Sequence, residues 1–86
     1  MLTTEVHTVR RLKGLQFGQR MVYYRGDIEA DILRAQAENP GSVYAEVLRE
    51  VMRVAEKLAV SGRLKLAAHP VEVNGTKVVE LSATGA

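Results

Sequence analysis

Between Ser42 and Asn74 one long two-faced helix runs directly into a β-hairpin, and this stretch constrains the fold more than any other. At about 100° per residue, Val47, Val51, Val54 and Leu58 form one apolar stripe, and Leu48, Met52, Ala55 and Ala59 form a second beside it. Glu46, Arg49, Glu50, Arg53, Glu56 and Lys57 fill the opposite side. Two adjacent stripes need two packing partners, so this helix is expected to be the central rod of a small domain. Ser42 is its expected N-cap, and Ser61-Gly62 its end.

The hairpin follows from Asn74-Gly75, whose left-handed backbone preference suits a two-residue turn between strands 64–73 and 76–82. That turn sets Val73 opposite Thr76, Glu72 opposite Lys77, Val71 opposite Val78 and Pro70 opposite Val79. Proline has no N–H to give a second neighbour, so strand 64–73 should lie at an edge. Strand 76–82 is then free to pair on its other side, and Met21–Tyr24 is the candidate partner.

Upstream, Asp27 is an expected N-cap for a helix over residues 28–38, with Glu29 and Asp31 favourably placed in its first turn. Ile28, Ile32 and Ala35 make its apolar line, Leu33 lies to one side, and Asn39-Pro40-Gly41 ends it. Thr3 or Thr4 could cap a first helix through Lys13, with Val6, Val9 and Leu12 inward and Gly14 as a left-handed stop. The β-branched run at Thr3, Thr4, Val6, Thr8 and Val9 is the argument for a strand instead; Lys13-Gly14-Leu15 reads as a helix end and favours the helix. Residues 15–20 are expected to form a loop that tucks Phe17 into the core.

Eighty-six residues make one domain, here residues 1–86, near the lower limit for a single unstapled core. The absence of cysteine excludes disulfides and thiolate metal sites and suits a reducing cytoplasm. Residues 1–13 carry Glu5, His7, Arg10 and Arg11 and do not read as a signal peptide, and no apolar run reaches the ~18 residues of a membrane span. Charge is uneven. Residues 1–26 carry a net +4, residues 27–62 a net −3 and residues 63–86 a net +1. A basic leading segment hints at a polyanion or an acidic protein as partner.

Helix, strand, helix, helix, strand, hairpin, strand is the order of a winged helix-turn-helix module, and the chain resembles that architecture over about residues 4–82. The run Gly-Gln-Arg-Met-Val-Tyr-Tyr-Arg-Gly-Asp at 18–27 is also similar to small phage and bacterial proteins of this build. The expected class is therefore α+β, winged-helix-like, with three helices and a small antiparallel sheet ending in a β-hairpin. The resemblance implies DNA binding and transcription regulation, with residues 43–61 in the recognition-helix position and Asn74-Gly75 at the wing tip. The chain departs from that pattern in two places. Its long helix mixes Arg49, Arg53 and Lys57 with Glu46, Glu50 and Glu56, and the wing sets Lys77 against Glu72.

Candidate DNA-contacting residues are Arg10, Arg11, Lys13, Arg20 and Arg25, opposed only by Glu5, then Arg49, Arg53 and Lys57 at one-turn spacing, and Lys77 on the wing. The long helix can also spend its cations internally, in Glu46–Arg49, Glu50–Arg53 and Arg53–Glu56 pairs at i, i+3. Tyr23 and Tyr24 would face opposite sides of a strand, one in the core and the other, beside Arg25, either a stacking or interface residue or, as the favoured reading, a half-exposed structural tyrosine. His7 and His69 lack a second ligand at metal spacing, and capping accounts for Asp27, Glu29 and Asp31. No catalytic triad, phosphate loop or cofactor fingerprint is present, so no enzyme, metal or cofactor is expected. The two stripes exceed what the rest of the chain is expected to cover, and a homodimer burying part of Leu48, Met52, Ala55 and Ala59 is the resulting expectation. A protein-binding adaptor or inhibitor on the same scaffold is the alternative function.

Overall fold

A computed structural model describes residues 3–86, with side chains from His7 onward. Element order is α1 (Thr3–Lys13), β1 (Arg20–Arg25), α2 (Ile28–Glu38), α3 (Val43–Val60), β2 (Leu64–Val73) and β3 (Thr76–Gly85). The first segment is helix, not strand; the capping role of Thr3 or Thr4 and the inward position of Val6 lie outside the described side chains. The three strands form one antiparallel sheet in the order β1-β3-β2, so Pro70 does sit on an edge strand. Asn74 at φ 51° and Gly75 at φ 78° make the turn, and the expected register runs unbroken from Val73 opposite Thr76 to Leu64 opposite Gly85.

Both interior caps form as their residues dictate. The Asp27 carboxylate accepts the Ala30 N–H at 3.1 Å, and the Ser42 hydroxyl accepts the Ala45 N–H at 3.2 Å. They satisfy amides that the first helical turn leaves unpartnered. The core then assembles around α3, which supplies Ala45, Leu48, Val51, Val54 and Ala55. Leu12 of α1, Ile28 and Ile32 of α2, and Met21, Leu64 and Ala83 of the sheet close around it.

Four expectations need correction. Leu48 and Ala55 are 0% and 1% exposed within the single chain, so neither can face a second subunit; α1 and α2 both pack on α3 and cover more than the stripes alone implied. Met52 and Ala59 remain half-buried. Gly14 closes α1 without a left-handed φ, through its N–H to the carbonyls of Arg10 (3.1 Å) and Arg11 (3.2 Å). Tyr23 and Tyr24 do not divide into core and surface. A bulge between Val22 and Tyr24 breaks the strand's alternation, and both rings pack partly buried against the core.

Phe17 is the fourth. Its ring is 87% exposed, forgoing the roughly 1.5–3 kcal/mol that burial would yield. The cause lies at the far end of the chain. Gly85 accepts the Gly18 N–H at 2.9 Å and donates to the Gln19 carbonyl at 2.8 Å, pressing the loop backbone flat against the end of β3. Leu15 takes the inward position, and Phe17 turns out. A Cβ on Gly85 would collide with the Gln16 carbonyl. Gly85→Ala should therefore cost at least the ~1–3 kcal/mol of an overpacked site, read as a lower midpoint in thermal or denaturant unfolding. A variant as stable as the parent would show that the loop is not seated on Gly85.

Candidate nucleic-acid interface

The last turn of α1 carries Arg10, Arg11 and Lys13, where a helix leaves carbonyls unpaired and a partial negative charge that suits cations. Leu12, 1% exposed, holds this turn against the core, and packing of α1 on α3 brings Lys13 to the second half of the long helix. There Lys13, Arg53, Lys57 and Arg63 line one open groove of about 280 Å³ over an apolar floor of Val54 and Leu58. No acid lines it.

Arg63 is the member that sequence reasoning missed. At the end of α3 the Gly62 N–H bonds the Ala59 carbonyl (3.0 Å) and the Arg63 N–H bonds the Leu58 carbonyl (2.9 Å), with Gly62 at φ 80°. This is a Schellman motif, which folds the residue after the glycine back over the last helical turn. The signal was present in Ser61-Gly62-Arg63: a helix-ending glycine followed by a cation places that cation beside the helix's own last-turn lysine.

A second cleft, about 460 Å³, is lined by Arg11, Gly14, Leu15, Gln19, Arg20 and Met21. It draws on the same end of α1, so that turn contributes a cation to each of two clefts. Within the described residues, Lys13, Lys57, Arg63, Arg11 and Arg20 enter no ion pair. Arg53 is committed to Glu50, with hydrogen bonds from Nε at 3.0 Å and Nη2 at 2.6 Å. That bond is the main reason the Glu50 carboxyl sits below its usual range, and Lys13 and Lys57 add to the effect.

Other sequence candidates fall elsewhere. Arg10 is exposed but lines neither cleft. Arg25 is tied to Glu80 across the sheet at 3.0 Å, and Arg49 to Glu46 at 3.2 Å. Lys77 stays out on the hairpin opposite Glu72. Arg25, Arg49 and Lys77 are thus not part of the convergence.

The tyrosines have structural roles. The Tyr24 hydroxyl donates to the Asp31 carboxylate, joining β1 to α2, and Asp31 also pairs with Arg34 at 3.0 Å. Burial, then the Asp31 and Tyr44 contacts, pushes the Tyr24 phenol far above its ordinary range; burial and then Glu56 raise Tyr23. Among the described residues no group of three or more His, Asp or Glu side chains could hold a metal, and no helix is long and apolar enough to cross a membrane. No family model, curated protein or solved structure matches the chain.

The raised phenols give a test with a definite sign. Above pH ~10 an unfolded chain ionises its tyrosines, while the native state keeps Tyr23 and Tyr24 protonated. Unfolding then releases protons, so stability is full below that pH and falls as pH rises through it. Tyrosinate absorbance of the native protein should stay below its three-tyrosine amplitude until the fold melts, and Tyr24→Phe should remove one late-titrating phenol. Full native amplitude with a midpoint at pH ~10 would overturn this assignment.

Proposed function

We propose that this chain is a small, non-enzymatic DNA-binding protein of winged-helix build, serving as a regulatory or accessory factor in a bacterial or phage-infected cytoplasm. The observation that carries this reading is the convergence of Lys13, Lys57 and Arg63, with Arg53, on one groove that no acid lines. Phosphates on a duplex repeat at a spacing that such a row of cations can follow. The β1-β3-β2 order supports the architectural part. The docking face differs from the usual one. The cations lie at the C-terminal ends of α1 and α3, whereas the first half of α3 offers Glu46 and Glu50 beside Val9 and Val47. Backbone contacts, not base reading, dominate such a surface.

Binding to duplex DNA followed over a salt series tests it. Five phosphate contacts from Lys13, Lys57, Arg63, Arg11 and Arg20 give a log–log slope of about −4.5. Combining Lys57→Ala with Arg63→Ala should flatten it by about 1.8, whereas Arg49→Ala should leave it unchanged. An absence of binding to both duplex and single-stranded DNA at ~50 mM salt would reject DNA as the ligand.

One observation favours a second reading, a protein-binding adaptor or inhibitor. A groove of about 330 Å³ between the sheet, α2 and α3 has Tyr23, Met52, Leu66 and Leu81 on its apolar surface and Asp27, Glu29 and Glu56 at its rim. Its chemistry suits an apolar segment bearing cations, and a second copy of this chain is one source. Sedimentation at micromolar concentration should show a dimer that Met52→Glu dissociates. A monomer under those conditions would remove the second copy and leave the groove to a different protein.

A further inference from the structure

We propose that Phe17 is a stacking platform for an unpaired DNA base, with the adjoining phosphate taken between Arg11 and Arg20; this rests on the DNA-binding reading above. Phe17 stands 87% exposed at the middle of a loop whose flanking residues, Gly14, Leu15 and Gln19, line the cleft with Arg11 and Arg20; the ring itself lies outside that lining. Its exposure is built in. The loop is held by the two Gly85 hydrogen bonds, by the Gln19 N–H to the Gln16 carbonyl at 3.0 Å, and by the Gln16 N–H to the Gln19 side-chain oxygen at 2.9 Å. An aromatic ring on a pinned backbone loses little freedom on binding, which is what a stacking surface requires.

The surroundings select the ligand. Arg11 and Arg20 carry no acid partner among the described residues, and no acid lines the cleft. At about 460 Å³ the cleft is in the size range of small-ligand sites, large enough for a sugar-phosphate. Cations along a backbone track, with an aromatic ring offered to each base that reaches it, is the arrangement by which proteins hold single strands. Along a duplex each base face is covered by its neighbours and offers nothing to such a ring; only the outer faces of the two terminal pairs are open. Single-stranded ends, bubbles and gaps leave theirs open.

The sequence contains no tryptophan, so Phe17→Trp makes a single-site reporter on the full chain. With single-stranded oligonucleotide, its emission should be quenched as the base stacks, and a blunt duplex should leave it unquenched. Phe17→Ala should weaken single-strand binding roughly 5- to 150-fold, as one lost stacked base does, with the salt slope unchanged. Arg11→Ala with Arg20→Ala should flatten the single-strand slope by about 1.4. Because the ring is exposed, both Phe17 variants should unfold at the parent's temperature. Unquenched emission on saturated single strand, or a Phe17→Ala protein that binds it as the parent does, would overturn the stacking role while leaving the basic groove intact. Equal losses on duplex and single strand would overturn it too. A parent protein that binds no DNA of either kind would instead reject the functional reading itself.

Discussion

Burial of α3 on two sides at once is the constraint on which the rest of the molecule depends. Leu48 is 0% exposed, and α1, α2 and the sheet all pack on the helix that carries it. Ordering a helix of this length costs about 1–2 kcal/mol per residue in backbone entropy, so a rod covered on one side only would not hold. The same requirement positions the charges. With its apolar arc turned inward, α3 has one solvent face left, and Glu46, Arg49, Arg53, Glu56 and Lys57 must share it. Placement of α1 against that rod then decides which of these cations acquires a neighbour of like sign.

Competition between local pairing and convergence separates structural arginines from available ones. Exposed ion pairs stabilise little, typically about 0.2–1 kcal/mol. They still matter, because a cation paired with its own helix must break that pair to meet a phosphate. Arg49 and Arg53 are engaged with Glu46 and Glu50 one turn earlier, as their i, i+3 spacing allows. Lys57 has Glu56 beside it in sequence, but adjacent helical residues point apart and the lysine stays unpaired. Lys13 and Arg63 enter no ion pair among the described residues for another reason: each sits where a helix stops, and the turn before it offers no acid at i−3 or i−4. Helix ends, not the middle of the long helix, therefore generate the available positive charge.

The fold was legible where a short stretch dictates its own geometry. Asn74-Gly75 determined the register of twenty strand residues, Asp27 and Ser42 placed two helix starts, and Pro70 placed an edge. What the sequence left hidden depends on residues distant along the chain. Phe17 faces outward because of Gly85, whose importance is invisible without knowing that β3 ends against the 15–19 loop. Tyr23 and Tyr24 share one side because of a bulge that no turn residue announces. Leu48 and Ala55 looked available to a second subunit because helix 28–38 is Ala-rich and only modestly amphipathic, and the packing of both α1 and α2 on α3 is not written in any short stretch. The basic residues were identifiable singly, but their grouping required the α1–α3 contact.

That grouping also explains why a winged-helix order need not imply a winged-helix way of reading DNA. A recognition helix reads bases through its leading turns, and here those turns carry Val43, Tyr44, Glu46, Arg49 and Glu50, two acids against one base that is already paired with Glu46. An acidic start to α3 would be repelled by the phosphates on either side of a major groove, at a separation where salt screens the force only in part. The trailing end carries the opposite sign, so on the proposed DNA-binding reading the field would turn the molecule end-on, presenting the ends of α1 and α3. In that pose the Asn74-Gly75 turn is no longer the element that must reach DNA, which fits a hairpin whose one lysine faces a glutamate across the strands. The 15–19 loop extends from the same end of α1, so on that proposal its pinned backbone, and not the β2–β3 hairpin, would be the second contact element of this surface.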